Sequence, residues 1–212
     1  CKIPSNFAEY CPDGELQCRY FAKGLTKYPV NCVTKSEALQ YCKAMVPGGT
    51  LPSDAQWERA ARTDCTGPNE KIIYTRFVWG DQWIPPKGAG NFCDEACDNK
   101  YWGYIDHYQD EAGCSAPVGS YALDGKCLND VAGNVAEVVL DDWDPQFFAS
   151  LPPGAVDPVA VGSPAAIFRG SAYTGVLAAT AQLSARIVVP DTPVEWAAID
   201  GGFRCVSTWP PK

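Results

Sequence analysis

Two short helices are the clearest elements in the pattern of apolar and polar positions along this chain. In the segment VTKSEALQYCKAM, residues 33–45, the side chains of Ala38, Cys42 and Met45 recur at helical spacing. Thr34 stands before this run and Glu37 follows three residues later, which is the pattern of a capping box, because each side chain can bond the other residue's backbone amide. The segment predicts a helix that begins just after Thr34.

The second helix is predicted in LPSDAQWERAAR, residues 51–62. Ser53 is placed to cap it, and Gln56 is placed to return the bond. Trp57, Ala60 and Ala61 fall on one face of such a helix, so that face is expected to pack inward.

The rest of the chain predicts loops and short strands, with 19 glycines and 18 prolines spread throughout. Strands are expected in four apolar or alternating runs: VAEVVL (135–140), AAIFRGSAY (165–173), LSARIVV (183–189) and GGFRCVSTW (201–209). The segment 145–164, with five prolines and Asp157 as its one charged residue, is expected to be a surface insertion. Nothing repeats at a fixed period. The sequence therefore predicts one loop-rich α+β domain over residues 1–212.

Charge narrows the range of partners. Seventeen basic residues face 25 acidic ones, which gives a net charge of −8, and no cluster of lysine and arginine stands out in the sequence. Neutralising phosphates requires several clustered cations, so nucleic acid and anionic membranes are not expected partners. No apolar run approaches the roughly 18 residues that a transmembrane segment needs. The surplus of acids suits cations better.

The cysteine count indicates an oxidising compartment. Eleven cysteines lie between Cys1 and Cys205, which is far more than a reduced cytosolic protein carries. We therefore expect a secreted, periplasmic or cell-surface protein. The count is odd, and Cys1 is the suspected unpaired residue: it is either a lipid-anchored mature terminus or a cut end of a larger parent chain.

Several catalytic classes are excluded by composition. His107 is the one histidine, so a metal site of several imidazoles cannot form, and His107 is expected on a surface loop. The segment CDEAC has half of a zinc motif without the other half, so a local disulfide between Cys93 and Cys97 is expected. Because neighbouring side chains of a strand point to opposite faces, Asp141 and Asp142 are not expected to act together as a pair of carboxylates. One of them is expected to be structural and the other solvated.

Nine segments follow one another along the chain in a characteristic order: YPVNCVTKSEALQYC, GGTLPSDAQWERAAR, FVWGD, GNFCDEAC, APVGSY, LNDVAGNVAEV, FRGSAY, SAR and GGFRCV. Together they resemble one known family, the formylglycine-generating enzyme (sulfatase-modifying factor) family. The resemblance covers Tyr28 to Val206 and implies a loop-rich, C-type-lectin-like α+β fold stabilised by disulfides, with a disulfide between Cys42 and Cys205. The family pattern has a further segment before the point where this chain begins, so the family's first strands are expected to be missing.

The resemblance also implies up to two calcium ions. Hard cations need several oxygen ligands at once, and a turn lets carbonyls converge with nearby carboxylates. Carried over position by position, one ligand set would be Asp130, the carbonyls of Gly133 and Val135, and the carboxylate of Glu137. The other would be Asn91, Asp110, and the carbonyls of Phe92 and Ala112.

One departure from the family pattern bears directly on catalysis. Members that oxidise a substrate cysteine carry two cysteines shortly after the R-G-G-S motif, which bind copper and activate oxygen. The matching positions here hold Gly175 and Thr180, neither of which offers the soft thiolate that copper(I) requires. Copper is therefore not expected.

Two functions remain after this comparison. The first is a non-catalytic, calcium-stabilised, extracytoplasmic binding or scaffold module for an unknown protein, peptide or glycan. The alternative is an oxidoreductase of the same family, acting on a protein or peptide substrate.

Overall fold

Both predicted helices are present with the expected caps. The computed structural model describes residues 26–95, 103–123, 125–163, 165–175, 178–188 and 200–207. Helix α1 spans Lys35–Met45, and its N-cap Thr34 forms the capping box with Glu37. Helix α2 spans Asp54–Arg62 and is capped by Ser53 together with Gln56. A four-residue helix α3, Phe147–Ser150, which the sequence did not predict, lies in the proline-rich insertion.

The strands are short and form one central sheet with two small ribbons. The central sheet has the order β6-β5-β4-β7, in which β4 runs antiparallel to β5 and parallel to β7. The ribbons pair β1 with β8 and β2 with β3. All four predicted strand regions contain strands, whereas β1, β2 and β3 were not predicted. The strands are β1 (Gly49–Thr50), β2 (Thr63–Asp64), β3 (Lys71–Ile72), β4 (Ala136–Asp142), β5 (Ala166–Arg169), β6 (Ile187–Val188), β7 (Gly201–Gly202) and β8 (Val206–Ser207).

Side chains of β4 and β5 alternate between the two faces of the sheet, so these strands separate two apolar clusters. Val138 and Phe168 pack with the buried face of α1, whereas Val139 and Ile167 pack with Trp57 of α2. Burying an aliphatic or aromatic side chain of this size contributes roughly 1.5–3 kcal/mol. Because strand side chains alternate with period two, Glu137 and Arg169 must point to the α2 side as well. The fold thus carries charged groups into its interior beside α2.

The described cysteines are joined in disulfides. Cys42 on α1 is bonded to Cys205, with 5.4 Å between their Cα atoms, so the implied pairing is confirmed. Cys65 and Cys127 form a second bond that the sequence did not pair. Cys93 is disulfide-bonded, and Cys97, its predicted partner, lies outside the described residues.

The insertion at 145–164 is exposed but anchored. Val156 is 85% exposed, as expected for a surface segment. The buried carboxylate of Asp141 accepts the backbone N–H of Ala160 at 3.0 Å and of Asp54 at 2.8 Å.

Burial raises the pKa of Asp141, and its structural role is confirmed. Asp142 is ion-paired with Lys35 at 2.8 Å, so the expectation of a solvated acid was wrong for that residue.

Candidate functional site

Both predicted ligand sets meet at one crossing of loops. Gly133 has φ of +77°, and a Cβ atom built on it would lie 2.0 Å from the carbonyl oxygen of Asn91. This close approach lets the N–H of Asn134 donate to Asn91 O at 2.7 Å and the N–H of Gly133 donate to Gly170 O at 2.7 Å. The glycine is therefore needed for steric reasons. The crossing places the Asn91 set on one side and the Glu137 set on the other.

The carboxylate of Glu137 is fully engaged by protein donors. The indole Nε1 of Trp57 donates to Oε2 at 2.7 Å, and the guanidinium of Arg204 donates to both carboxylate oxygens at 2.5 Å. The Glu137 side chain is 8% exposed and that of Arg204 is 22% exposed. Burial alone would lower the pKa of Arg204, but the charge of Glu137 outweighs burial and raises it. Glu137 and Arg204 therefore form a bidentate ion pair, and the indole N–H of Trp57 adds a third hydrogen bond to the carboxylate.

Arg204 binds the carboxylate that the family resemblance implies as a calcium ligand. Its Nη2 also donates to the backbone oxygen of Asn129 at 3.2 Å, so the guanidinium bridges the loop before β4 and the strand itself. The carboxylate of Asp130 accepts the backbone N–H groups of Gly119 and Tyr121 and holds that turn closed. A calcium ion bound by Glu137 would have to displace Arg204. The residues present therefore do not fit calcium at this set.

The ligand set around Asn91 differs because it contains a buried oxygen atom without a hydrogen-bond partner among the described residues. Asn91 is fully buried, and its Nδ2 donates to the carbonyl oxygen of Cys114 at 2.8 Å. Its Oδ1 is buried and has no hydrogen-bond partner among the described residues. Leaving such an acceptor unmet costs about 1–3 kcal/mol. An additional group that offers positive charge or a donor is expected here.

Asp110 is hydrogen-bonded to Phe92, the residue that follows Asn91 in the chain. Its Oδ2 accepts the N–H of Phe92 at 2.7 Å and its Oδ1 accepts the N–H of Ala112 at 2.9 Å, while its own N–H donates to Asp94. Burial, and to a smaller extent the charge of Asp94, raise the pKa of Asp110 to about 6. No ion pair among the described residues involves Asp110. A buried carboxylate, a second acid and an unmet amide oxygen fit a hard cation, and the sequence did not single out Asp94.

The two positions that hold copper-binding cysteines in catalytic relatives offer no thiol. Gly175 forms a bridge with Ala172, and Thr180 lies in the turn before β6. Every cysteine that the structure describes is disulfide-bonded: Cys32, Cys42, Cys65, Cys93, Cys114, Cys127 and Cys205. A thiolate pair cannot be assembled from these residues while their disulfides are intact.

The one histidine lies on the surface, as expected. The side chain of His107 is 84% exposed and approaches Asp106 at 3.5 Å and Glu95 at 3.9 Å. These three groups could approach a common ion, but all are exposed, and exposed acids commonly gather without one. Among the residues that the structure describes, no buried or unsatisfied group supports a metal there.

A buried ion-pair network under α2 was missed by the sequence reasoning. The guanidinium of Arg169, with no exposed side-chain surface, lies 2.9 Å from Asp54 and 2.9 Å from Glu58. It also lies 4.8 Å from the ring centroid of Trp57. Arg186 contacts Asp54 from the other side at 2.5 Å. The motifs FRGSAY and SAR contain these arginines, but their partners are more than 100 residues away, so the sequence alone could not pair them.

Comparison with known proteins identifies the family. A family model described as a sulfatase-modifying factor enzyme 1-like domain matches residues 5–209. The chain belongs to this family. It is 32% identical over 151 residues to a formylglycine-generating enzyme of Streptomyces coelicolor. The matched residues cover 71% of this chain and 43% of that relative. It is 31% identical over 134 residues to that of Thermomonospora curvata, 62% of this chain and 39% of the relative. The chain thus spans less than half the length of these curated relatives.

Solved structures confirm the family's α+β fold. The structure of PvdO from Pseudomonas aeruginosa superposes with a TM-score of 0.58 at 18% identity, covering 84% of this chain and 61% of that one. The structure of Treponema denticola variable protein 1 superposes with a TM-score of 0.60 at 17% identity, and the match covers 87% of this chain and 73% of that one. Likeness at such low identity concerns the fold alone. Among the residues described, no helix has the length and apolarity to span a membrane.

Proposed function

We propose that this member of the sulfatase-modifying factor family is a non-catalytic binding module that works outside the cytoplasm and is stabilised by calcium. The observation that carries the proposal is the loss of the thiolate pair. Gly175 and Thr180 stand at its two positions, and each described cysteine is already consumed in a disulfide. Copper(I) binding of the family's kind requires free soft ligands.

Calcium is assigned to the Asn91 set alone. The unmet Oδ1 of Asn91 and the carboxylate of Asp110 would be ligands, together with the carbonyls of Phe92 and Ala112. Calcium would supply the positive charge that these buried oxygens lack, and would hold loops 91–94 and 110–112 together. Since a ligand that binds only the folded state raises its stability, calcium should raise the melting temperature.

The same disulfides support the proposed compartment. Bonds such as Cys42–Cys205 and Cys65–Cys127 persist where the surroundings are oxidising and are rare in the cytosol. They support a secreted, periplasmic or cell-surface location.

The calcium assignment is tested with a single pair of variants. In thermal unfolding of the purified chain, calcium should raise the melting temperature of wild type and EDTA should lower it. Asp110→Asn should remove this response. Asp106→Asn, which changes an exposed acid on the same loop, should keep it. An equal calcium response in wild type and Asp110→Asn contradicts the assignment.

The alternative function is an oxidase of the family, which the identity to two formylglycine-generating enzymes favours. Copper-loaded protein, oxygen and a cysteine-containing peptide provide the test. We expect no oxygen consumption above that of copper alone and no aldehyde in the peptide by mass spectrometry. Turnover that depends on the protein would replace the binding-module proposal with the enzyme.

A further inference from the structure

A groove of about 570 Å³ lies between α2 and residues 72–76, away from both calcium sets. Arg59 and Arg62 line it from α2 and Arg76 from residues 72–76, and Gln182 and Ser184 also line it. None of the eight predicted calcium ligands lines it.

Positive charge is concentrated around this groove in an otherwise acidic protein. The chain has seven arginines and a net charge of −8. Three of the seven arginines line the groove, and two more, Arg169 and Arg186, approach its lining residue Glu58 at 2.9 and 4.0 Å. Such a local excess attracts anions that the rest of the surface repels.

Two of the arginines have no internal counter-charge. Arg62 is held by Glu58 at 2.9 Å and by the carbonyl oxygen of Thr75 at 2.9 Å. Arg59 and Arg76, by contrast, are exposed and take part in no ion pair with the described residues. The guanidinium of Arg76 lies 5.3 Å from the ring centroid of Phe77, which helps to hold it in place. Both offer planar, two-pronged donor sets to a ligand.

The guanidinium groups of the groove are not matched by a free carboxylate among its described lining residues. Glu58, its one carboxylate, uses Oε1 for Arg62 and Oε2 for Arg169. Neutral sugar hydroxyls bring no negative charge to the guanidinium groups, whereas the side-chain carboxylates of an acidic peptide do. At the rim, Tyr74 is 87% exposed and gives a flat surface for an apolar or aromatic side chain. This combination favours a peptide over a saccharide.

We propose that this groove binds an acidic segment of a peptide chain. Carboxylates of the segment pair with Arg59 and Arg76, and a neighbouring apolar side chain packs on Tyr74. The inference rests on the proposed binding function for its context and supplies the ligand class that the family assignment leaves open.

The test is a fluorescence-polarisation titration with three labelled hexapeptides, which alternate phenylalanine with glutamate, glutamine or lysine. The glutamate peptide should bind and the other two should bind at least about tenfold more weakly. Arg59→Gln and Arg76→Gln should each weaken binding of the glutamate peptide about tenfold. Lys43→Gln removes one exposed positive charge from α1, on the other side of the sheet, and should leave binding unchanged.

Folding does not confound these variants, because exposed and unpaired arginines contribute little to stability. Their melting temperatures should equal that of wild type. Equal binding of the glutamate and glutamine peptides, or an equal loss in Lys43→Gln, overturns the proposal. So does a uronic-acid oligosaccharide that binds more tightly than the glutamate peptide and competes with it. These results are independent of the calcium and turnover tests, which use other residues, so either proposal can fail alone.

Discussion

Replacing Glu137 by glutamine isolates the contribution of its ion pair with Arg204. Glutamine keeps the shape of the side chain and an oxygen for the indole of Trp57, so the charge is the main loss. The guanidinium of Arg204, 22% exposed, would then remain in the interior without its counter-charge. Breaking a buried pair from one side costs about 3–5 kcal/mol, and the partial exposure of Arg204 places this case near the lower end.

The expected loss is therefore about 3 kcal/mol, which corresponds to a fall of roughly 6–12 °C in melting temperature for a chain of this size. Adding Arg204→Met removes the stranded cation. The double variant should then lose less than the sum of the two single changes, with a coupling energy of about 1–3 kcal/mol. Urea unfolding under oxidising conditions, followed by tryptophan fluorescence, gives all four free energies of the cycle. Glu111→Gln, which breaks the exposed pair with Lys87, is the matched control and should cost under about 1 kcal/mol.

The calcium dependence of this cycle decides between the two accounts of Glu137. If Arg204 is its partner, Glu137→Gln costs the same free energy of unfolding in calcium and in EDTA. If Glu137 binds calcium, as the family resemblance implies, the cost appears in calcium and largely disappears in EDTA. Additive single losses, or a cost confined to calcium, would refute the reasoning from the ion pair.

Three further predictions concern other parts of the molecule. Calcium titration by calorimetry should give one site in wild type and none in Asp110→Asn; retention of that site in the variant would contradict the Asn91 assignment. Cys42→Ser should cost about 4–5 kcal/mol under oxidising conditions, because Cys205 is 163 residues away, and nothing beyond wild type once both are reduced; equal stability before reduction would contradict it. Burial raises the pKa of Glu58, but its arginine partners, Arg169 first, outweigh burial and lower the pKa below the ordinary 4.5. The ionised form of Glu58 therefore contributes stability, and this stability is lost as pH falls through the folded pKa. Urea unfolding at successive acid pH values should therefore show a smaller pH dependence for Glu58→Gln than for wild type, and an unchanged slope would argue against the pairing.

Local signals were enough to predict the helices. A capping box needs two residues three positions apart, and Thr34 with Glu37 and Ser53 with Gln56 both satisfy it. The missed strand β1, Gly49–Thr50, has only two residues and no period to detect. Its pairing with β8 depends on chain segments more than 150 residues apart. Such elements are fixed by tertiary packing and leave no local pattern.

The pairings of the candidate site could not be read from the sequence. The family motifs placed Glu137 in one expected calcium ligand set and Asn91 with Asp110 in another, which stays a prediction. The quoted motif GGFRCV includes Arg204, yet nothing local shows that its guanidinium reaches back 67 residues to Glu137. The disulfide between Cys65 and Cys127 was missed for a related reason, because the connectivity of several cysteines cannot be read from their spacing.

The two sides of the loop crossing meet the same physical demand in different ways. Carboxylates held in the interior require positive charge, since burial penalises their ionised form. At Glu137 the chain supplies that charge itself through Arg204, which cannot dissociate from the folded protein. At Asp110 no described residue supplies it, and the pKa rises to about 6. Removal of calcium should consequently loosen residues 91–94 and 110–112 while β4 and its junction with β7 stay fixed. Calcium would then act as a local clamp on one loop pair and not as a requirement for the whole fold.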